Sequence, residues 1–276
     1  MIRGTTPAGA ASEQDASRWV RDMFGRIAPR YDFLNHLLSF NIDRRWRARL
    51  VRRVEPILRD PDARVLDLCC GTGDVMLAMG VKAKARVYGS DFCHPMMIAA
   101  RAKSLRKLVP ARLFEADGLA IPLTNHSLDL ITIAFGFRNF ASYRQGLEEM
   151  VRVLRPGGTA AILEFAPPAK TLFGRLHGFY SRRILPKLGG LISGSREAYE
   201  YLPQSVGKFP EPDELAHEMR SAGFAEVGYE LMTGGSVSLH LGTVAEAVRL
   251  DKDDRLRQAR FRDGTEGPTG PHGPVV

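Results

Sequence analysis

The residues with the clearest chemical potential lie in one stretch, Arg64–Asp74, which reads Arg-Val-Leu-Asp-Leu-Cys-Cys-Gly-Thr-Gly-Asp. Val65–Leu68 has the pattern of a buried strand, and Gly71 and Gly73 turn it into a helix. Glycine adopts positive φ at little cost and lets a ligand come close to the backbone. The N–H groups of the following helix start then point at that ligand. A nucleotide-like group is therefore expected at the carboxyl end of the first strand of an open α/β sheet. The third glycine of a dinucleotide fingerprint is missing, since Met76 stands in its place. There is no Gly-Lys-Ser/Thr either, which excludes a phosphate-cradling loop. A Gly-x-Gly turn preceded by an acid, Asp67, with no basic group in the loop, suits a cofactor without a pyrophosphate. S-adenosylmethionine fits: its amino acid end is zwitterionic, its sulfonium is positive and it carries no phosphate. The alternative is a tight β–α turn that holds no ligand.

Two further acids fall at expected strand ends. Asp91 lies 18 residues after Gly73, where a carboxylate accepts both hydroxyls of a bound ribose. It could equally cap the helix that begins near Pro95. Asp117 can accept from an adenine amine, with the backbone of Gly118 beside it as a donor; otherwise it is a turn aspartate. The fourth strand ends in Ala134-Phe135-Gly136-Phe137-Arg138-Asn139-Phe140. Methyltransferases of nucleic acid bases commonly carry Asn/Asp/Ser-Pro-Pro-aromatic here, so an exocyclic amine is a poor candidate acceptor. Arg138 can stabilise a developing oxyanion, or pair with Asp117 or another acid. Asn139 can orient a hydroxyl.

These residues need a frame to bring them together. From Arg64 onward strands and helices alternate: strands at 64–68, 86–90, 112–116, 128–135 and 159–165, helices to about 79, over 95–108 and over 143–154. That rhythm predicts a doubly wound, parallel α/β sheet. Arg155-Pro156-Gly157-Gly158 reads as the turn into the fifth strand. A helix over 213–222, stopped by Gly223, and strands at 226–232 and 237–241 complete the domain, which is expected over 17–250. Ahead of the first strand, residues 17–60 read as a helical cover over the pocket, with Trp19, Val20, Met23, Phe24 and Ile27 on one face. Residues 170–205 break the rhythm and read as a helical insertion over the substrate site. Disorder is expected over 1–16 and over the charged, then Gly- and Pro-rich, 251–276.

Composition narrows the class. The chain has 276 residues, 44% of them hydrophobic and 25% charged, as an ordinary globular protein does. Its three cysteines, Cys69, Cys70 and Cys93, have no metal-ligand spacing, and no metal is expected. No apolar run is long enough to span a bilayer, and residues 1–14 lack a signal-peptide core, so a cytoplasmic location is expected. The net charge of +8 is concentrated: residues 44–53 hold six arginines, and 170–188 hold five Lys or Arg and no acid. Such surfaces meet nucleic acid or anionic lipid, or are solvated helix faces.

Beyond these features the sequence resembles the ubiquinone/menaquinone biosynthesis C-methyltransferases, over roughly residues 18–246. The similarity includes Met23-Phe24, Tyr31-Asp32, Trp46, Leu66-Asp67-Leu68 with Gly71-Thr72-Gly73-Asp74, and Phe135–Asn139. It continues through Arg152–Gly158, Leu163-Glu164-Phe165, Tyr201-Leu202-Pro203, Gly234-Gly235 and His240. The resemblance implies a Rossmann-like class I S-adenosylmethionine-dependent methyltransferase with a seven-stranded, mostly parallel sheet and helices on both faces. It implies cofactor contacts from Thr72, Asp91, Asp117 and Gly118. Two positions depart from the family's pattern. Ala134 replaces a frequent Ser, leaving a backbone contact there, and Asp117-Gly118 replaces a frequent Asn-Ala.

The implied reaction is C-methylation of a prenylated quinol, demethylmenaquinol above all, with the ubiquinone-pathway benzoquinol as a second substrate. Loss of a phenolic proton, reference pKa about 10, makes the adjacent ring carbon nucleophilic. Alignment of methyl and carbon is worth roughly 7–11 kcal/mol. Tyr31, Asp32, His36, Arg138 and Asn139 are candidate helpers, with Tyr31, Arg138 and Asn139 assigned to catalysis. The expected partners are the quinol and an anionic membrane surface, reached from the cytosolic face of the inner membrane, and not nucleic acid; a homodimer is one expected assembly. Residues 171–185 mix aromatic, aliphatic and cationic groups as an interfacial helix does. A nucleic-acid methyltransferase and a non-catalytic binding subunit are the competing readings.

Overall fold

The computed structural model describes residues 4–5, 7, 9–167 and 196–246. The compact unit runs to Ala245. The interfacial segment expected at 171–185, most of the 170–205 insertion and the tail expected at 251–276 lie outside the described residues.

Seven strands form one sheet in the order β3-β2-β1-β4-β5-β7-β6. They are β1 (Arg64–Leu68), β2 (Arg86–Asp91), β3 (Arg112–Glu115), β4 (Leu128–Ala134), β5 (Leu154–Phe165), β6 (Phe224–Met232) and β7 (Val237–Val244). The first five are parallel, and β7 runs antiparallel between β5 and β6. The strand order reverses between β1 and β4, the point at which an open α/β sheet leaves a crevice at its carboxyl edge. The doubly wound parallel sheet read from the alternation is thus present. One local expectation fails: Arg155–Gly158 is not a turn before β5. The strand already begins at Leu154, opposite Leu128, and absorbs the glycines as a register shift before Thr159 meets Leu130.

Helices cover both faces. On one, α6 (Tyr143–Val153) and α8 (Pro212–Ala222) bury Leu147, Met150, Leu215 and Met219 against Ile131, Ile133 and Ile162. On the other, α3 (Ile42–Leu58) and α4 (Asp74–Lys82) bury Leu50, Val54, Val75 and Leu77 against Val65, Leu130 and Leu163. α5 (His94–Lys107) follows β2, and α7 (Arg196–Lys208) precedes α8. Sequence signals set several ends. Ser142 caps α6 by accepting from the Gln145 N–H, and Gly223, at φ 117°, closes α8.

The N-terminal cover is helical, as expected, but starts earlier. α1 (Glu13–Ile27) begins after Ser12, whose hydroxyl accepts from the Asp15 N–H. Its buried stripe is Ala16, Val20, Met23 and Ile27, and the last three pack with Met96 of α5 and Tyr201 of α7. A 3-10 turn (Ala28–Arg30) leads into α2 (Tyr31–Leu38). The disorder expected over 1–16 is also corrected at Thr5, which is buried, donates its N–H to the Phe140 carbonyl at 2.7 Å and shares a 2.7 Å hydrogen bond with the Tyr201 hydroxyl.

At the centre of the sheet, Asp67 of β1 is 1% exposed. Its carboxylate accepts from the Met76 N–H at 2.9 Å and from the Thr132 hydroxyl at 2.6 Å, tying the first turn of α4 to β4. Burial raises its pKa to about 7, and these two hydrogen bonds only partly offset that. The folded protein therefore holds this proton up to about pH 7, whereas an unfolded aspartate releases it near pH 4. Its contribution to stability is complete below about pH 4 and is lost as the pH rises toward 7. The stability difference between wild type and Asp67→Asn, from urea unfolding, should therefore shift in favour of the variant by a few kcal/mol over that range. A difference that is flat with pH would mean that the carboxyl is ionised throughout.

Candidate active site

The cleft opens at the carboxyl ends of β1, β2 and β4. Two non-glycine residues there take left-handed backbone angles, Cys69 at φ 54° and Phe135 at φ 61°. Such positions cost about 1–3 kcal/mol each and persist only where the surroundings fix them. The Cys70 N–H donates to the Ser90 carbonyl at 2.9 Å, and the Phe135 N–H to the Leu163 carbonyl at 2.8 Å. Gly71 and Gly73 add φ values of 54° and 83°, and Gly73 stands at the start of α4. The strand-to-helix turn is thereby bent so that the backbone of Gly71 lines the cleft.

Of the residues expected to bind a cofactor, Gly71, Asp91, Asp117, Gly118 and Ala134 line this one cleft. Asp91 is 6% exposed; its oxygens accept from the Gly71 and Cys93 N–H groups, both at 2.9 Å. Burial raises its pKa to about 6, against these backbone donors. Asp117 sits at the rim, accepting from the Leu119 N–H at 2.9 Å. A side chain at Gly118 would meet the Phe140 ring at 2.4 Å, so that ring packs directly on its backbone. Three expected contacts lie elsewhere. Asp67 is turned inward, as described, and Gly73 is packed on Ala100 and Met76 behind the turn. The Thr72 hydroxyl is engaged by Asp32 and by the Lys103 ammonium.

That last contact belongs to a cluster the sequence did not suggest. Lys103 of α5, 8% exposed, reaches Asp32 and Asp74 at 2.6 Å each and Thr72 at 2.9 Å. Arg47 of α3 pairs with Asp43 and lies 3.7 Å from Asp74, while His36 and Ser39 bond Asp43 at 2.8 Å and 2.7 Å. These charges fasten α2 and α3 onto the glycine turn. They also account for Asp32 and His36, which serve this fastening and do not line the cleft. Tyr31, beside Asp32, does line it, 3.9 Å from where a side chain on Gly71 would begin. Burial raises the Tyr31 pKa above the usual range despite Arg138 and Arg47 nearby, so its hydroxyl is a donor at neutral pH.

The β4 end also requires a correction. Arg138 does not line the cleft. It is 6% exposed and pairs at 3.0 Å with Glu164 of β5, which is fully buried, and its guanidinium donates to the Phe135 carbonyl. Burial opposes its charge, but the Glu164 carboxylate outweighs that and holds its pKa above the usual value. The acid partner foreseen in general terms is thus Glu164, an acid inside an apolar strand. Asn139 lines the cleft, and its Oδ1 accepts from the Tyr201 hydroxyl at 3.0 Å, leaving the amide nitrogen as its donor.

The residues that line the cleft fit S-adenosylmethionine. They include two carboxylates, Asp91 and Asp117, a bent glycine backbone and the rings of Phe24, Tyr31, Phe92, Phe135 and Phe140, and, among the described residues, no Lys or Arg. That set suits a cationic ligand with ribose hydroxyls and no phosphate. No metal-binding cluster occurs among the described residues.

Comparison with known proteins places this arrangement. The chain is 50% identical over 221 residues to demethylmenaquinone methyltransferase of Thermus thermophilus, covering 80% of this chain and 99% of that protein. It is 45% identical over 231 residues to the Deinococcus radiodurans protein of the same name, covering 83% and 94%. It is 44% identical over 227 residues to the ubiquinone/menaquinone biosynthesis C-methyltransferase UbiE of Geobacter sulfurreducens, covering 81% and 87%. Among solved structures, a SAM-dependent methyltransferase from Aquifex aeolicus shares the fold with a TM-score of 0.51 at 18% identity, covering 68% of this chain and 85% of that one. A Haemonchus contortus phosphoethanolamine N-methyltransferase in complex with S-adenosyl-L-methionine gives 0.54 at 12%, covering 73% and 52%. The fold is that of the Rossmann-like S-adenosylmethionine-dependent methyltransferases, and residues 11–244 match the ubiE/COQ5 methyltransferase family, to which this chain belongs.

Proposed function

We propose that the protein methylates a ring carbon of a prenylated quinol, demethylmenaquinol in the first place, as a step of menaquinone synthesis. The observation that carries this reading is the acceptor wall at the β4 end. Phe135, Gly136 and Phe140 line it with Asn139 as the polar group, which suits an aromatic ring bearing a hydroxyl. The names of the relatives, at 40–50% identity, support the same substrate class.

S-adenosylmethionine supplies an electrophilic methyl on a sulfonium. In the proposed arrangement Asp91 accepts from its ribose hydroxyls, the Gly71 backbone faces it, and Asp117 and Gly118 meet its adenine. Tyr31 and Asn139 hydrogen-bond the quinol oxygen and turn the ring so that its carbon faces the methyl. Arg138 acts as a positioning residue, holding the Phe135 carbonyl and the turn that carries Asn139. Loss of the phenolic proton raises the carbon's nucleophilicity. Attack of that carbon on the donated methyl would leave S-adenosylhomocysteine, the ring C–H proton would pass to solvent, and the oxygen held by Tyr31 and Asn139 would regain its proton. No helix among the described residues is long and apolar enough to cross a membrane, so the proposed approach to the membrane-borne quinol is peripheral, from the cytosolic face of the inner membrane.

Incubation with S-adenosylmethionine and reduced demethylmenaquinone should yield the ring-methylated quinol by mass spectrometry. Methylation of RNA, and none of the quinol, would reverse the reading. Two further outcomes concern Asp91. Its Asp91→Asn variant should bind S-adenosylhomocysteine at least tenfold more weakly in calorimetry, since hydrogen bonds to a charged group contribute roughly 1.5–3 kcal/mol each. Because the ionised carboxylate is the better acceptor, wild-type affinity should fall as the pH drops below about 6, where Asp91 takes up its proton, and the variant should lose that dependence. Equal affinities at pH 7.5 would remove Asp91 from the site.

A further inference from the structure

The carboxyl edge of the sheet continues past the cleft. Phe165 at the end of β5 pairs with Val237 at the start of β7, so the β6–β7 turn lies on that same edge. Trp46 of α3 spans the interval. Its ring centroid is 5.9 Å from Phe135, a wall of the cleft, and 6.0 Å from Phe165, and its indole N–H donates to Thr233 of the turn at 2.8 Å. The outer side of Trp46 lines a surface groove between α3 and the β6–β7 hairpin, with Ile42, Leu231 and Met232 as its other apolar walls. Leu231 is 54% exposed.

Along this groove α3 presents Arg45, Arg49 and Arg52, spaced to fall on one face of the helix. Arg49 is neutralised by a two-point contact with Glu230, both hydrogen bonds 2.8 Å long. Arg45 and Arg52 are exposed, and among the described residues neither makes a close ion pair, although Arg52 and Arg53 are near enough to Glu230 to help hold its pKa down. Arg44 and Arg53, also exposed, widen the basic stripe. A stripe of cations beside exposed aliphatic groups is the composition of an interfacial surface, in which apolar side chains enter the headgroup layer and the cations meet lipid phosphates. A nucleic-acid surface would not be served by exposed leucine.

We propose that the groove between α3 and the β6–β7 hairpin is the face that docks on an anionic phospholipid bilayer, with Arg45 and Arg52 at the phosphates and Leu231 in the headgroup layer. The proposal rests on the quinol reading for its purpose: Trp46 packs on this face from one side and on Phe135 of the acceptor wall from the other, so the proposed acceptor lies close to the lipid. Docking itself is measurable without any substrate.

The test is sedimentation of the full chain with vesicles of phosphatidylcholine alone or with phosphatidylglycerol added. Wild type should partition onto the anionic vesicles and release with salt. Arg45→Gln/Arg52→Gln should lose roughly tenfold or more of that partitioning, because each cation near an anionic surface contributes roughly fivefold. Leu231→Asp should weaken it as well, and neither variant should change the melting temperature materially. Methyl transfer to a tail-less, water-soluble naphthoquinol should be the same in the double variant as in wild type. Unchanged partitioning of both variants, or a wild type that binds RNA and not vesicles, would overturn the proposal. Failure of the quinol reading would instead appear as absent methyl transfer with vesicle binding intact.

Discussion

The buried carboxylate of Asp67 is the constraint on which the site depends. It ties together three pieces of chain: the end of β1, the first turn of α4 through the Met76 N–H, and, across the β1–β4 ladder, the Thr132 hydroxyl. A group 1% exposed with a pKa near 7 is costly to bury. What it secures is the bent segment between Cys69 and Gly73, where three successive odd-numbered residues take left-handed angles. Strain at Cys69 and Phe135 is tolerated because the flanking strands fix both ends, and it leaves the Gly71 backbone facing the cleft.

A second set of charges closes the pocket from above. Lys103 brings no net stability merely by being buried, since desolvation consumes much of the Coulomb gain. Its three partners come from three different elements, however: Asp32 from α2, Thr72 from the turn and Asp74 from α4. Geometry of that kind defines position more than it adds stability. α2 can settle only where Asp32 reaches Lys103, and this fixes Tyr31 over Gly71. The same reasoning explains why Thr72 holds the cover in place here while the backbone beside it lines the cleft.

The sequence was most informative where a signal is local. Apolar runs marked the strands, Gly223 marked a helix end, and the spacing from the glycine turn pointed to Asp91, which ends β2 and lines the cleft. It was silent on pairings between residues far apart in the chain. Nothing near Lys103 points to Asp32, 71 positions away, and nothing near Thr5 points to Tyr201, at a separation of 196. Small polar residues ahead of Ser17 read as disorder because their anchor is elsewhere. Arg155–Gly158 read as a turn because glycine and proline weaken strands, yet here β5 carries them through a register shift against β4. Glu164 had a usable signal: an acid within the apolar run Ala160–Phe165 requires a buried cation, and Arg138 was the available one.

That pair also alters how the chemistry is driven. An arginine facing the acceptor would stabilise the phenolate directly. Arg138 instead shares its charge with Glu164 behind the Phe135 wall, so the pair is close to neutral when seen from the cleft. Among the described residues, those lining the cleft contribute carboxylates and hydrogen-bond donors but no cation. A bound sulfonium would bring a positive charge able to favour ring deprotonation, and the aromatic faces of the cleft would suit it. On the proposed reading, binding order and acidity would be linked: the quinol would be easiest to deprotonate with the methyl donor already in place, and the protein's part would be to hold the two in contact.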